Sequence, residues 1–244
     1  MALPKLSAPY YKTTIPSTGK EIKFRPFLVR EEKILMLALE SNNESEIFSA
    51  LNQIIDNCTD GVVDASVLPT FDIEYLFLQL RIKSIDSYSE INVRCPNAKC
   101  KKNTKTKIDL TNIEVKNLNN KKDFNIQLTD DIGVRLSYPT LDTTKSINTK
   151  GENTEFLFDF IIGCIENIYD SDQVYKKSDQ TKEDMMDFLE SLSATQFQKI
   201  TDFFDDTPTL EYKEKLVCSH CNKPHTLKMS GLDDFFSYAS LTTL

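Results

Sequence analysis

Two short cysteine pairs, Cys95-Pro-Asn-Ala-Lys-Cys100 and Cys218-Ser-His-Cys221, limit what this chain can fold into more than any other feature. A turn that short can aim two thiolates at one tetrahedral metal ion. Each pair lies between stretches that alternate apolar and polar residues: EINVR and KKNTKTKIDL flank the first, EYKEKLV and NKPHTLKM the second. A period of two marks strands, so each pair is expected at the tip of a β-hairpin. Two such hairpins facing each other make a zinc ribbon, with Cys95, Cys100, Cys218 and Cys221 as ligands of a structural Zn2+. The pairs are separated by residues 101–217, or 117 positions, where a compact ribbon uses about 15–20. Much of the intervening chain must then be an insertion between the two halves of the ribbon.

Other readings of the pairs exist. His220 or His225 could replace one cysteine as ligand, which leaves a metal site in place. A thioredoxin-like redox pair needs CxxC opening a helix after a strand, and strand-like residues follow Cys218 instead. The plainest alternative is unrelated surface thiols. Two details favour the metal. Asn222 follows the second pair, where a left-handed residue is often required and Asn tolerates one. Lys99, Lys101 and Lys223 would offset the double negative charge of four thiolates around one zinc.

Six cysteines without a secretory leader do not suggest a disulfide framework. The start, MALPKLSAPYYK, has no apolar segment of signal-peptide type, and no apolar run nears the roughly 18 residues of a membrane span. The expectation is a soluble protein in a reducing compartment. Cys58 and Cys164 sit in apolar surroundings (IIDNC and FIIGCIENI) and read as small buried hydrophobes. A net charge of −8 opposes wholesale nucleic-acid binding, which draws affinity from Lys and Arg on phosphates. Lys99, Lys101, Lys102, Lys105 and Lys107 nevertheless form a local basic patch. A solvated strand face is its plainer reading; a zinc-ribbon nucleic-acid-binding module is the functional one.

Along the chain, Tyr11, Thr13 and Ile15 alternate toward a Pro16-Ser17-Thr18-Gly19 turn, and Ile22 and Phe24 alternate on the return, predicting a hairpin. Three helices should follow, carried by Ile34, Leu35, Ala38 and Leu39, by Ile47, Leu51, Ile54 and Ile55, and by Ile73, Leu76, Phe77 and Leu80. Glu31 and Glu32 stand near the start of the first, where the helix dipole favours acids. Beyond the first knuckle, strands are expected around Phe124–Leu128 and Val134–Tyr138. A loop should cover 140–153. A helix should run through Phe156, Phe160, Ile161, Cys164, Ile165 and Ile168, and a polar loop should occupy 170–179. Two short helices come next, the second opened by the capping box Ser193-Ala-Thr-Gln196. The tail, 232–244, reads as a short helix with Phe235 and Phe236 inward.

The fold class is therefore α+β: an N-terminal hairpin plus helices, and a four-cysteine zinc ribbon split by a largely helical insertion. The expected domains are 1–88; 89–113 with 210–231 as the ribbon; 114–209 as the insertion; and 232–244 as a tail.

No phosphate-binding loop, nucleophile elbow, H-E-x-x-H or dinucleotide fingerprint occurs. The acidic pairs Asp130-Asp131, Asp205-Asp206 and Asp233-Asp234 adjoin turns or helix ends, where Asp is expected for other reasons. Four cysteines would close the shell of a zinc ion, which disfavours a zinc-dependent hydrolase. The reading is a chain with no catalytic residues, no cofactor-binding residues beyond the metal, and no small-molecule substrate.

The stretches ALPKLSAPYYKTTIPSTGKEIKFRPFLVREEKILMLA and FDIEYLFLQLRIKSI resemble the baseplate hub subunit or hub assembly proteins of T-even-type contractile-tailed bacteriophages, most strongly over about residues 2–95. The resemblance implies a late viral protein that helps build the tail hub through contacts with other baseplate hub proteins. It would be found in the host cytoplasm during assembly, or in the virion tail baseplate. It carries over no catalytic residue. Tyr10 and Tyr11 of the first hairpin and the Phe-rich tail are candidate contact surfaces, with ordinary core packing as the alternative for each.

Overall fold

The N-terminal alternation closes as a hairpin of β1 (Tyr11–Thr14) and β2 (Glu21–Phe24), with Tyr11 opposite Phe24 and Thr14 opposite Glu21. Gly19 holds the turn at φ +68°, a conformation that costs glycine nothing because it has no Cβ. This computed structural model describes residues 7–41, 43–118, 122–146 and 154–231. The described parts of 1–64, 71–116 and 208–244 form one compact unit, and those of 65–70 and 117–207 a second.

In the first unit, α1 (Val29–Glu40) and α2 (Glu44–Cys58) follow the hairpin, and α3 (Thr70–Ser84) contributes all but its first residue. Helix α3 buries Phe71, Ile73, Leu76, Phe77, Leu78 and Leu80, which leaves it without a solvent face over most of its length and makes it central to this core. Asp72 on the same helix is fully buried and accepts from the backbone N–H of Ser17 (2.9 Å) and from its hydroxyl, which ties the hairpin turn to α3.

Glu31 does more than complement the α1 dipole. It is fully buried, accepts the Leu28 N–H at the start of the helix (2.9 Å) and pairs with Arg25 (3.0 Å), which is also buried. Arg25 also donates to the carbonyls of Asn57 (2.9 Å) and Pro26 (3.0 Å), so one ion pair joins β2, α1 and the end of α2. Cys58 closes α2 with no exposed surface. Tyr10 is 55% exposed and donates to Asp60, whereas Tyr11 packs beside Phe24 with Lys83 over its ring, so only Tyr10 presents an open face.

Two antiparallel sheets complete this unit. Strands β3 (Tyr88–Arg94) and β4 (Asn103–Asp109) form a hairpin in which Tyr88 faces Asp109 and Arg94 faces Asn103. Strands β10 (Thr209–Val217) and β11 (Pro224–Ser230) form another, in register from Glu211–Ser230 to Val217–Pro224. The short β5 (Glu114–Lys116) pairs with the start of β10 and was not anticipated, because three residues with one half-buried Val115 carry no readable period.

The second unit is built on a sheet ordered β6-β7-β8-β9, from β6 (Asn125–Gln127), β7 (Gly133–Leu136), β8 (Ile165–Tyr169) and β9 (Val174–Lys176). Helices α4 (Leu141–Ser146), α5 (Thr154–Cys164), α6 (Lys182–Glu190) and α7 (Ala194–Asp205) accompany it. Its core joins Val134, Leu136, Ile161, Ile165, Met185, Ile200 and Phe203. Both α6 and α7 begin with reciprocal capping boxes, Thr181 with Asp184 and Ser193 with Gln196.

Three expectations are corrected here. The helix expected to reach Ile168 ends at Cys164, and 165–169 form β8. The spacing of Ile161, Ile165 and Ile168 is helical, but hydrogen-bonded neighbours on both sides make 165–169 a strand. Part of the expected 140–153 loop is α4, and 147–153 lie outside the described residues. The expected 170–179 loop contains β9 and a 3-10 turn at Lys177–Asp179. The helix expected over 232–244 also lies outside the described residues.

Gly133 faces Tyr169 across the β7–β8 pair, and a Cβ there would come within 2.3 Å of the tyrosine ring. Gly133→Ala is therefore expected to cost about 1–3 kcal/mol in a denaturant melt. The loss should largely disappear in a Tyr169→Ala background; an unchanged loss in that background would disprove the steric cause.

Candidate metal centre

The four cysteines singled out in the sequence are brought together. Cys95 and Cys100 stand at the tip of the β3–β4 hairpin and Cys218 and Cys221 at the tip of β10–β11, and their sulfurs all lie within 4.8 Å of one another. The separations across the hairpins are 3.7 Å for Cys95–Cys221 and 3.8 Å for Cys100–Cys218. A disulfide would need sulfurs at about 2 Å. Four thiolates at about 2.3 Å from one tetrahedral ion stand about 3.8 Å apart. The donor set can hold one metal ion.

The backbone explains how such short turns aim the sulfurs. In the first knuckle Cys95 donates to the Lys102 carbonyl (2.9 Å), and Cys100 and Lys101 both donate to the Asn97 carbonyl (2.9 and 3.1 Å). In the second, Cys218 donates to Lys223 (3.1 Å) and Asn222 to Cys218 (2.9 Å). Each turn ends in a left-handed residue, Lys101 at φ 50° and Asn222 at φ 54°. Asn222 was legible from its residue type; Lys101, its counterpart, was not. Placing a β-branched side chain in that conformation, as in Asn222→Val, is expected to cost roughly 1–2 kcal/mol. Thermal melts of the two proteins at equal metal content would measure it.

The two tips are clasped by more than sulfur. Thr104 Oγ1 lies 3.2 Å from Ser219 Oγ, and His220 Nε2 lies 3.2 Å from the Asn103 carbonyl oxygen. Asn97 Nδ2 donates to Cys221 Sγ at 3.7 Å. Among the described residues neither His220 nor His225 belongs to the ligand group.

The local fields suit thiolates but not four of them without a cation. Backbone N–H groups of His220 and Cys221 hold the Cys218 thiol down at about 6, and the Lys223 N–H lowers Cys221. At Cys95 the Asn97 N–H also pulls downward, but burial and the neighbouring sulfurs outweigh it and push the thiol up to about 12. Crowded like charges separate in this way when nothing neutralises them. The two solitary cysteines are different: burial pushes Cys58 up to about 11 and Cys164 to about 12, so both are protonated and inert at neutral pH.

Comparison with known proteins bears on what this centre serves. A family model described as T4 bacteriophage base plate protein matches residues 8–237. The chain belongs to that family. No curated protein and no solved structure gives a significant match. Membership of the baseplate family supports a structural or assembly role among other phage baseplate proteins. Among the described residues, no helix of this baseplate protein is long and apolar enough to cross a membrane.

Proposed function

We propose that the protein acts in the hub of the phage baseplate, as a structural or assembly component working through protein–protein contacts. We further propose that Cys95, Cys100, Cys218 and Cys221 bind one structural Zn2+. The baseplate role rests on the family match across 8–237, and its hub part on the resemblance of residues 2–95 alone. The metal assignment rests on sulfur separations of 3.7 and 3.8 Å across two knuckled hairpins. An all-sulfur tetrahedral set selects zinc or iron over harder ions, and knuckle turns of this kind suit zinc. The ion would have no open position and no chemical step to perform; it would staple two hairpins that lie far apart in sequence, with 114–209 inserted between them. The protein would act in the host cytoplasm during assembly and in the tail baseplate of the virion.

A tagged chain expressed during infection should co-purify with other hub proteins and carry one zinc per chain by elemental analysis. Recovery of no baseplate protein, together with normal virions in its absence, would refute the hub reading. Iron in place of zinc, with the visible charge-transfer colour of iron–thiolate bonds, would refute the assignment of the ion and leave the four ligands standing.

A further inference from the structure

The two knuckled hairpins carry positive charge that the rest of the chain lacks. Residues 88–109 and 209–230 hold ten Lys and Arg against four Asp and Glu, a formal +6; all other residues together hold 19 against 33, a formal −14. The excess sits on the outward faces. Arg94, Lys101, Lys102, Lys105, Lys215 and Lys223 are all exposed, and among the described residues none of them has an ion-pair partner. By contrast Lys213 and Lys228 share Glu211 (2.9 and 3.3 Å), and Lys107 lies over the Tyr88 ring at 4.2 Å. A tetrathiolate zinc centre would offset two of the six charges and leave the excess positive.

We infer that the outer face of the ribbon is a docking surface for an acidic face of another baseplate protein. The inference rests on the baseplate reading given above. Opposite-sign surfaces steer association and fix register, and an unpaired single-sign patch on an otherwise acidic chain is half of such an arrangement. Nucleic acid fits less well. A duplex is a long rod of uniform negative charge, and beyond the patch it would meet a chain of formal −14. Single strands need aromatic platforms for their bases. The hairpins' Phe and Tyr content is Tyr212, which is buried, and Tyr88, which is 42% exposed with Lys107 over its ring; one such ring is no platform for successive bases. Val217 is 62% exposed directly opposite Pro224, between Lys215 and Lys223, and such an apolar spot among charges is a feature of protein interfaces.

Zero-length carbodiimide coupling joins a lysine amine to a carboxylate only when the two are in contact. Applied to the purified complex of this chain with its baseplate partners, it should link Lys102, Lys105, Lys215 or Lys223 to Asp or Glu of a neighbouring chain. The variant Lys102→Glu/Lys105→Glu/Lys215→Glu should keep its full metal content and bind those partners at least about tenfold more weakly at low salt. The difference should shrink at high salt, as the screening length falls from about 10 Å at 0.1 M to about 3 Å at 1 M. If metal content fell in that variant, Lys→Gln changes at the same positions would take its place. A complex whose ribbon lysines stay uncoupled to carboxylates, couple only within their own chain, or cross-link to nucleic acid instead would overturn the inference. In each of those cases the baseplate reading survives; absence of any complex would remove that reading first.

Discussion

Chelating the proposed zinc is expected to unfold the ribbon rather than loosen it. Structural thiolate zinc contributes about 10–16 kcal/mol at neutral pH in small domains, against a whole-domain stability of about 5–15 kcal/mol. Among the described residues the β3–β4 sheet has two strands, and such a hairpin is marginal in water without further support. Its inward residues Ile91 and Ile108 are fully buried in the native protein and would be exposed once the tips separate. Cys218→Ser should act as chelation does, dropping zinc well below one per chain and removing the cooperative thermal transition of this unit. Cys58→Ser is the control: that thiol is equally buried but not part of the cluster, so metal content should stay at one per chain with a loss of only about 1–3 kcal/mol. A chelated protein with an unchanged melt would show that the four sulfurs do not hold the fold together.

The second large effect is expected at the buried ion pair. Glu31→Ala removes one partner and leaves the Arg25 guanidinium, 8% exposed, without its countercharge. Breaking a buried pair from one side costs about 3–5 kcal/mol. Here the change also releases the Leu28 N–H at the start of α1. The double variant Arg25→Met/Glu31→Leu should recover a good part of the loss, because no charge is then left buried. The same pair gives a pH signature. Burial by itself would raise the Glu31 carboxyl, but hydrogen bonds from Arg25, the Leu28 N–H and Arg30 outweigh it, and its pKa is lowered in the folded protein. A carboxyl with a lowered folded pKa contributes stability above its unfolded value of about 4.3 and loses that contribution as the pH falls through the folded value. The denaturant midpoint should therefore drop below about pH 4, and Glu31→Gln should flatten that drop. An identical acid slope in both proteins would rule out Glu31 as its source.

What could be read in the sequence, and what could not, follows from the range of the interactions involved. The knuckles were legible because tetrahedral thiolate chemistry restricts both spacing and residue type, so Cys95, Cys100, Cys218 and Cys221 announced themselves across 117 intervening positions. The first hairpin and the first three helices were legible because each period repeats over several residues. Strand β8 was not, since Ile161, Ile165 and Ile168 satisfy a helical spacing and only the pairing with β7 and β9 settles their state. Strand β5 is too short to carry a pattern. The burial of Glu31 was hidden for another reason: an acid in a first helical turn has a sufficient local explanation, and Arg25 declares itself as its partner only once β2 and α1 are side by side.

The cluster's four ligands also impose an order of events. At about 5–20 residues per second, a ribosome that has just made Cys100 needs roughly ten seconds more to reach Cys218. During that interval the nascent chain holds two thiols that cannot complete a coordination sphere, while residues in between are free to collapse on their own. At the proposed four-cysteine site, metal capture would wait until the second knuckle has been made. A product that stopped short of Cys218 would hold Cys95 and Cys100 alone, two donors where a closed tetrahedral shell needs four.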